Sequence, residues 1–165
     1  MAAKTYEGNY KVYLLETEPV GWSAAEGSRT ITTAELTAGT RLLRLVSNGA
    51  FTYTYNQNTA SQPLVDEGKI SHSLGTREVT GATLTHEIDF PLSSDAMWNL
   101  YSYGDVRFIV VAPDGEPTAD GTVLHVFEGE MSEAQTQGSA QDTKQNFQVT
   151  MAVQDWDLKT TLDAA

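Results

Sequence analysis

Apolar and polar residues alternate in short segments along most of this chain, and the pattern shifts to helical spacing once near its middle. Tyr10, Val12 and Leu14 against Lys11 and Tyr13 predict a first strand over 9–16, ended by Pro19-Val20-Gly21. Residues 22–29 read as a loop. Thr32 followed by Glu35 matches a capping box and predicts a short helical turn before Gly39. Strands follow over 40–47 and 50–56. Asn48-Gly49 between them suits a type I′ hairpin turn, because both residues tolerate positive φ. Over 83–90 the alternation is clean: Leu84, His86, Ile88 and Phe90 on one face, Thr83, Thr85, Glu87 and Asp89 on the other. Pro91 stops that strand. Ser93 or Ser94 then caps a helix over 94–103 with Asp95 in its first turn. Met97, Leu100 and Tyr101 form its buried stripe, and Gly104 ends it. Strands over 106–112, 122–130 and 145–154 complete the pattern, the first two joined by a polar turn over 113–121.

Residues 56–81 break the rhythm. They are polar, carry Gln62-Pro63, Glu67-Gly68 and Leu74-Gly75, and allow at most a short strand over 69–73. Long connections of this kind are uncommon inside compact domains and are usually functional. The segment reads as an extended inter-subunit loop or arm, with Leu64, Val65, Ile70 and Leu74 as apolar anchors for a neighbour. The expected fold is mainly β: a β-sandwich or open barrel with one flanking α-helix and this long loop. Residues 1–165 form one domain, with 155–165 as a C-terminal tail.

At 40% apolar and 19% charged, the composition is that of a globular chain. No apolar run is long enough for a transmembrane helix, and the first ten residues lack the apolar core of a secretory signal. The formal net charge is −12 and it is unevenly spread. Residues 1–85 hold 8 acidic and 7 basic residues, a net of −1; residues 86–165 hold 14 and 3, a net of −11. Tight nucleic-acid binding needs Lys and Arg to neutralise phosphates, and no basic patch is present for it.

Candidate chemistry is sparse. His72, His86 and His125 have no helical metal-site spacing, and no Ser stands in a nucleophile elbow. Zero cysteines exclude disulfides and thiolate chemistry. Glu87 with Asp89, and Glu128 with Glu130, stand two apart on strands, where both carboxylates meet solvent and nothing separates their pKa values. Asp114-Gly115-Glu116 matches no calcium loop. The expectation is a protein without catalysis, cofactor or metal. Trp22, Tyr53, Tyr55, Trp98, Tyr101, Tyr103 and Trp156 keep one alternative open, a monomeric β-sandwich binding module for carbohydrate or a host surface.

The run A-M-W-N-L-Y-S-Y-G-D-V-R-F-I-V-V, then G-T-V-L-H-V-F-E-G-E, then S-A-Q-D-T-K-Q-N-F-Q-V-T-M-A-V, resembles the second half of the major tail tube proteins of long-tailed bacteriophages, closest to those of actinobacterial phages. The matching parts fall at Tyr103-Gly104, Val110-Val111, Val126-Phe127 and 147–153. The resemblance implies a virion subunit, made in the host cytoplasm, that forms hexameric rings stacked into a tube. It implies partners at the tube ends and interior: tape measure, tail terminator and distal tail proteins. DNA passes through the lumen without tight binding. Thr83, Thr85, Glu87, Asp89 and Glu128 are then the candidate lumen-lining residues. Six copies carry a formal −72 per ring, and because screening reaches only ~8 Å at physiological salt, that charge repels DNA close to the wall.

Overall fold

A computed structural model describes residues 10–46, 51–64, 66, 68–137 and 145–164. Nine strands among them join one sheet: β1 (Lys11–Leu15), β2 (Thr30–Thr32), β3 (Thr40–Arg41), β4 (Phe51–Leu64), β5 (Lys69–Glu87), β6 (Val106–Ala112), β7 (Val123–Met131), β8 (Gln135–Thr136) and β9 (Asn146–Asp163). Two short helices, α1 (Thr33–Ala38) and α2 (Ala96–Leu100), interrupt them. The main path is β3-β1-β6-β7-β9-β5-β4, and its neighbours are antiparallel. β2 adds a parallel pairing to the end of β9, and β8 pairs near its start.

Residues 42–46 tie the two ends of this order together. Leu42 N donates to Val12 O at 2.9 Å, and Val46 N donates to Thr85 O at 3.1 Å. Glu87 N returns a bond to Arg44 O at 2.8 Å. One segment therefore runs from β1 to β5, and the sheet curls around its core rather than stacking as two sheets. The mainly β class holds, and of the expected sandwich or open barrel this curl corresponds to the open barrel.

Each face of the curled sheet buries its own apolar cluster. Val12, Leu14, Leu84, Ile109, Val111, Phe127, Phe147, Val149 and Met151 share one, closed by Met97 and Tyr101. Tyr13, Leu15, Phe108, Val110, Leu124, Val126 and Leu162 share the other, covered by Trp22, Ile31 and Leu36. β1 and β6 are buried on both faces, which explains their near-continuous apolar runs. The predicted capping box is formed: Glu35 N donates to Thr32 Oγ1 at 3.1 Å, and Thr32 N to Glu35 Oε1 at 3.0 Å.

Several boundaries differ from expectation. β3 stops at Arg41, and only an isolated bridge, Leu45 to His86, continues it. The Asn48-Gly49 turn lies outside the described residues. The segment 56–81 is not a structureless loop: residues 56–64 and 69–81 belong to β4 and β5, a long hairpin paired from Phe51↔Leu84 to Leu64↔Lys69. Residues 155–163 are not a tail; they complete β9, pairing with β7 and β2. α2 is one short turn preceded by a 3₁₀ turn, Leu92–Ser94, and its cap is Asp95 rather than a serine. Phe90 lies beyond the end of β5 and is exposed. Within the predicted stripe, Met97 and Tyr101 are buried and Leu100 is only partly so.

That difference sets an expectation for stability. Met97→Ala deletes a fully buried side chain and is expected to cost about 2–5 kcal/mol, whereas half-buried Leu100→Ala costs clearly less. Urea unfolding of both variants checks the order; a larger loss at Leu100 would contradict it.

Candidate functional site

The feature with no structural need for its composition is a long polar sheet face. Cross-strand partners share a face, and so do residues two apart on a strand. On β5, Ala82, Leu84 and His86 point into the core, which puts Thr83, Thr85 and Glu87 on the opposite side. Their partners on β9 are Thr150, Gln148 and Asn146. Thr52 stands across from Thr83, hydroxyl to hydroxyl at 2.8 Å, and Thr54 from Thr80. Glu130, exposed and opposite Ala152, joins the face from β7, though the sequence pattern had placed only its neighbour Glu128 in the lining. In the body of the protein this face is threonine, glutamine, asparagine and carboxylate, with no Lys or Arg among the described residues. It continues along the hairpin through Asn56↔Glu78, Ala60↔Ser73 and Gln62↔Ser71.

Two of the five predicted lumen residues are taken up by contacts of the subunit's own fold. Asp89 follows the end of β5, and its carboxylate lies 3.9 Å from Arg44. Glu128 sits under the loop after β1, where it accepts a hydrogen bond from Trp22 Nε1 at 2.9 Å. Other carboxylates of the acid-rich half are equally structural. Asp155 pairs with Arg29 at 3.0 Å, and the Arg29 guanidinium stacks over Trp22 at 4.0 Å. Buried Asp157 accepts from Gly27 N at 3.0 Å and Lys159 N at 2.8 Å. These contacts hold the loop over 22–29 onto β7 and β9.

The second surface is the hairpin beyond the body, an arm. Two register shifts, between Thr52 and Thr54 and between Gln57 and Thr59, bend β4 against β5. The Gln57 side-chain amide fills the second, donating to Gly75 O at 3.0 Å and Asn58 O at 3.0 Å. Pro63 is tolerated because β4 is an edge strand. Beyond the bend one face carries Pro63↔Ile70, Ser61↔His72 and Thr59↔Leu74, with Ile70 and Leu74 exposed. Of the four predicted anchors, these two share a face. Leu64 pairs with Lys69 on the other face, and Val65 lies outside the described residues. At the arm's base Arg77 pairs with Glu26 and lies 5.7 Å from the Trp156 ring.

The third feature is the seam where residues 42–46 meet β5. His86 is fully buried, stacked on Phe147 with centroids 4.9 Å apart. Its Nδ1 donates to Leu43 O at 2.8 Å, and its Nε2 accepts from the Tyr101 hydroxyl at 2.7 Å. Beside it, buried Asp95 caps α2 and pairs with Arg44. Burial works against the Asp95 charge, yet bonds from the backbone of Asp89, Trp98 and Met97 and from Arg44 hold its carboxyl below the usual range. Among the described residues no cluster of His, Asp or Glu is arranged to hold a metal ion.

A family profile described as "Phage tail tube protein" matches residues 1–164. The chain belongs to the phage tail tube protein family. This is a structural family, not an enzyme family, so the tail tube protein is a structural subunit of the virion tail. No curated protein sequence matches it. Among solved structures it is similar to a chain in the cryo-EM structure of the anti-feeding prophage baseplate, 6-fold symmetrised. That similarity has a TM-score of 0.56 at 7% identity, covering 94% of this chain and 95% of the other, and so speaks to fold.

The buried histidines of the tail tube protein set a pH dependence. Burial lowers the pKa of His86 first of all, with the Leu43 carbonyl opposing and Arg44 adding to the shift. Burial lowers His125 likewise. The unfolded chain, with histidine near ~6.5, therefore binds more protons than the folded one just below that pH. Stability is complete above about pH 6.5 and falls as the pH drops below it. Urea midpoints from pH 8 to 5 check this; a midpoint unchanged down to pH 5 would contradict it.

Proposed function

We propose that six copies of this tail tube protein form a ring, that rings stack into a tube, and that the polar face of β4, β5 and β9 lines a channel for DNA. The observation that carries this reading is the two-sidedness of those strands. One face is core; the other is a broad, uncovered wall of short polar side chains with Glu87 and Glu130 and no base in the body. A channel that passes DNA needs a lining that neither neutralises phosphates nor stacks bases, and this face has no group for either. The six-fold count takes its support from the symmetry of the similar baseplate structure. A tube also needs end and interior partners, and tape measure, terminator and distal tail proteins fill those places by resemblance to the family. The carbohydrate-binding alternative loses ground here, because Trp22 and Tyr101 are buried in the core and Trp98 stands edge-on to Phe147, which leaves Tyr53, Tyr55 and Tyr103 as its exposed aromatics.

Negative-stain microscopy and light scattering of the purified protein test the assembly. Tubes or rings are expected; a monomer at every concentration and salt would overturn it. The Thr83→Lys/Thr85→Lys variant tests the lining. It adds two bases to the polar face without touching the core, so assembled tubes should retain DNA in a salt-dependent way that the unmodified tube does not. Equal DNA retention by both tubes would place the face away from the channel.

The arm has its own test. Gln57 and Arg77 stand opposite each other, so residues 58–76 can be replaced by Asn-Gly to close a shorter hairpin. The shortened protein is expected to keep its fold by circular dichroism and to lose tube formation. Long tubes from this variant would show that the arm is dispensable for assembly.

A further inference from the structure

We infer that the seam between residues 42–46 and β5 is an acid-sensitive latch: a second proton on His86 releases residues 43–46 from β5 while the rest of the sheet stays paired. The latch is a property of the single subunit, whatever way copies assemble. The tautomer of His86 is fixed by its neighbours. A carbonyl only accepts, so Nδ1 carries the proton donated to Leu43 O at 2.8 Å. Nε2 is then a lone pair, and it accepts from the Tyr101 hydroxyl at 2.7 Å. A proton on Nε2 sets two donors against each other. The hydroxyl can rotate to accept, but among the described residues its own proton then has no other acceptor. Phe147, stacked on the ring from β9, offers none.

The charges around the ring supply no spare counterion. From the seam segment, Arg44 opposes a second cation. From the start of α2, Asp95 favours the proton, but it is already held by Arg44 and by the backbone N–H groups of Asp89, Met97 and Trp98. Tyr101 is kept neutral by its burial. On β5 itself Glu87 points to the opposite face, and Asp89, beyond the strand end, lies against Arg44. A fully buried imidazolium therefore meets neither an acceptor nor an uncommitted anion, and only entry of water relieves it.

The seam segment is the side that yields. β5 is held on its other edge by β9, from Thr85↔Gln148 to Glu87↔Asn146. Residues 43–46 have two backbone bonds to β5, Val46 N to Thr85 O and Glu87 N to Arg44 O, and one side-chain bond, Arg44 Nε to Glu87 O at 3.2 Å. Arg44 sits at φ 54, a conformation unfavourable for a residue with a Cβ, which leaving the seam relaxes. Buried Leu42, bonded to Val12 O, is the point from which the segment swings. Burial holds the closed form's His86 pKa below that of a free histidine. Opening therefore takes up a proton. Below about pH 6.5 each further pH unit favours the open seam by up to about tenfold, until the closed form titrates too. The backbone bonds released belong to Thr85 and Glu87, which carry the polar face.

Amide hydrogen exchange on the full chain at pH 7 and pH 5, expressed as protection factors, tests the latch. The Val46 and Glu87 N–H groups are expected to lose about tenfold in protection over that range, while the amides of the β1–β6 ladder keep theirs. In His86→Gln, which cannot titrate, that loss should vanish. In His125→Gln, which removes the other buried histidine, it should remain. An NMR titration of the His86 ring in the unmodified protein gives a check that needs no variant, since the ring must take up its proton over the same pH range in which the seam loses protection. Seam protection unchanged down to pH 5, or lost together with that of β1–β6, would overturn the latch. So would a loss that persists in His86→Gln, or a His86 ring that titrates apart from the seam.

Discussion

The register between β5 and β9 is the constraint on which the other features depend. Leu84 stands opposite Val149 and Ala82 opposite Met151, so these core residues meet on one side while Thr83 and Thr150, Thr85 and Gln148 meet on the other. A slip of one residue would put threonine and glutamate into the core and leucine and valine into water. Burying one Leu or Val side chain contributes roughly 1.5–3 kcal/mol, and the slip would forfeit several at once. Core packing therefore fixes which residues make up the polar face, and cross-strand pairs such as Thr52 with Thr83 add to it only modestly. Their identity is left free for a purpose outside the subunit.

The seam enforces the same register from the other edge. His86 lies on the core side of β5, and its two ring nitrogens hold the carbonyl of Leu43 and the hydroxyl of Tyr101. One side chain thus links the sheet, the segment that closes it and the end of α2. Burial raises the Tyr101 phenol's pKa, which keeps it protonated and able to donate. Arg44 adopts φ 54, a conformation unusual for a residue with a side chain. It is held there by its backbone bond from Glu87 and its pairing with Asp95.

Much of the body was legible because burial writes itself into alternation. β6 and β7 fall within one residue of the predicted strands, and the Thr32–Glu35 box announces α1. The arm was not legible, for the same reason. Its strands bury neither face within the chain, so Thr, Ser, Gln and Asn occupy both sides and no period of two appears. The ladder of backbone bonds and the side chains of Gln57 and Asn58 hold its strands together, and neither leaves a pattern of hydrophobicity. The end of β9 was missed because Asp155 and Asp157 interrupt it, and their reason to be there, Arg29 and the Gly27 backbone, lies more than a hundred residues away. Of the candidate lining, Thr83, Thr85 and Glu87 share a face as the alternation implied. Asp89 leaves the alternation because β5 ends at Glu87, and Glu128 is covered by the Trp22 loop; their partners Arg44 and Trp22 were invisible in the linear pattern.

In the proposed tube the threonine-rich face turns toward a channel and the core face toward the outer layer. A helical cryo-EM reconstruction of the assembled protein tests it most directly. A six-fold tube is expected, in which Thr83, Thr85 and Gln148 project into the lumen while α1 and the Trp22 loop lie outside. A tube with α1 or that loop against the channel, and the threonine face buried between subunits, would contradict it.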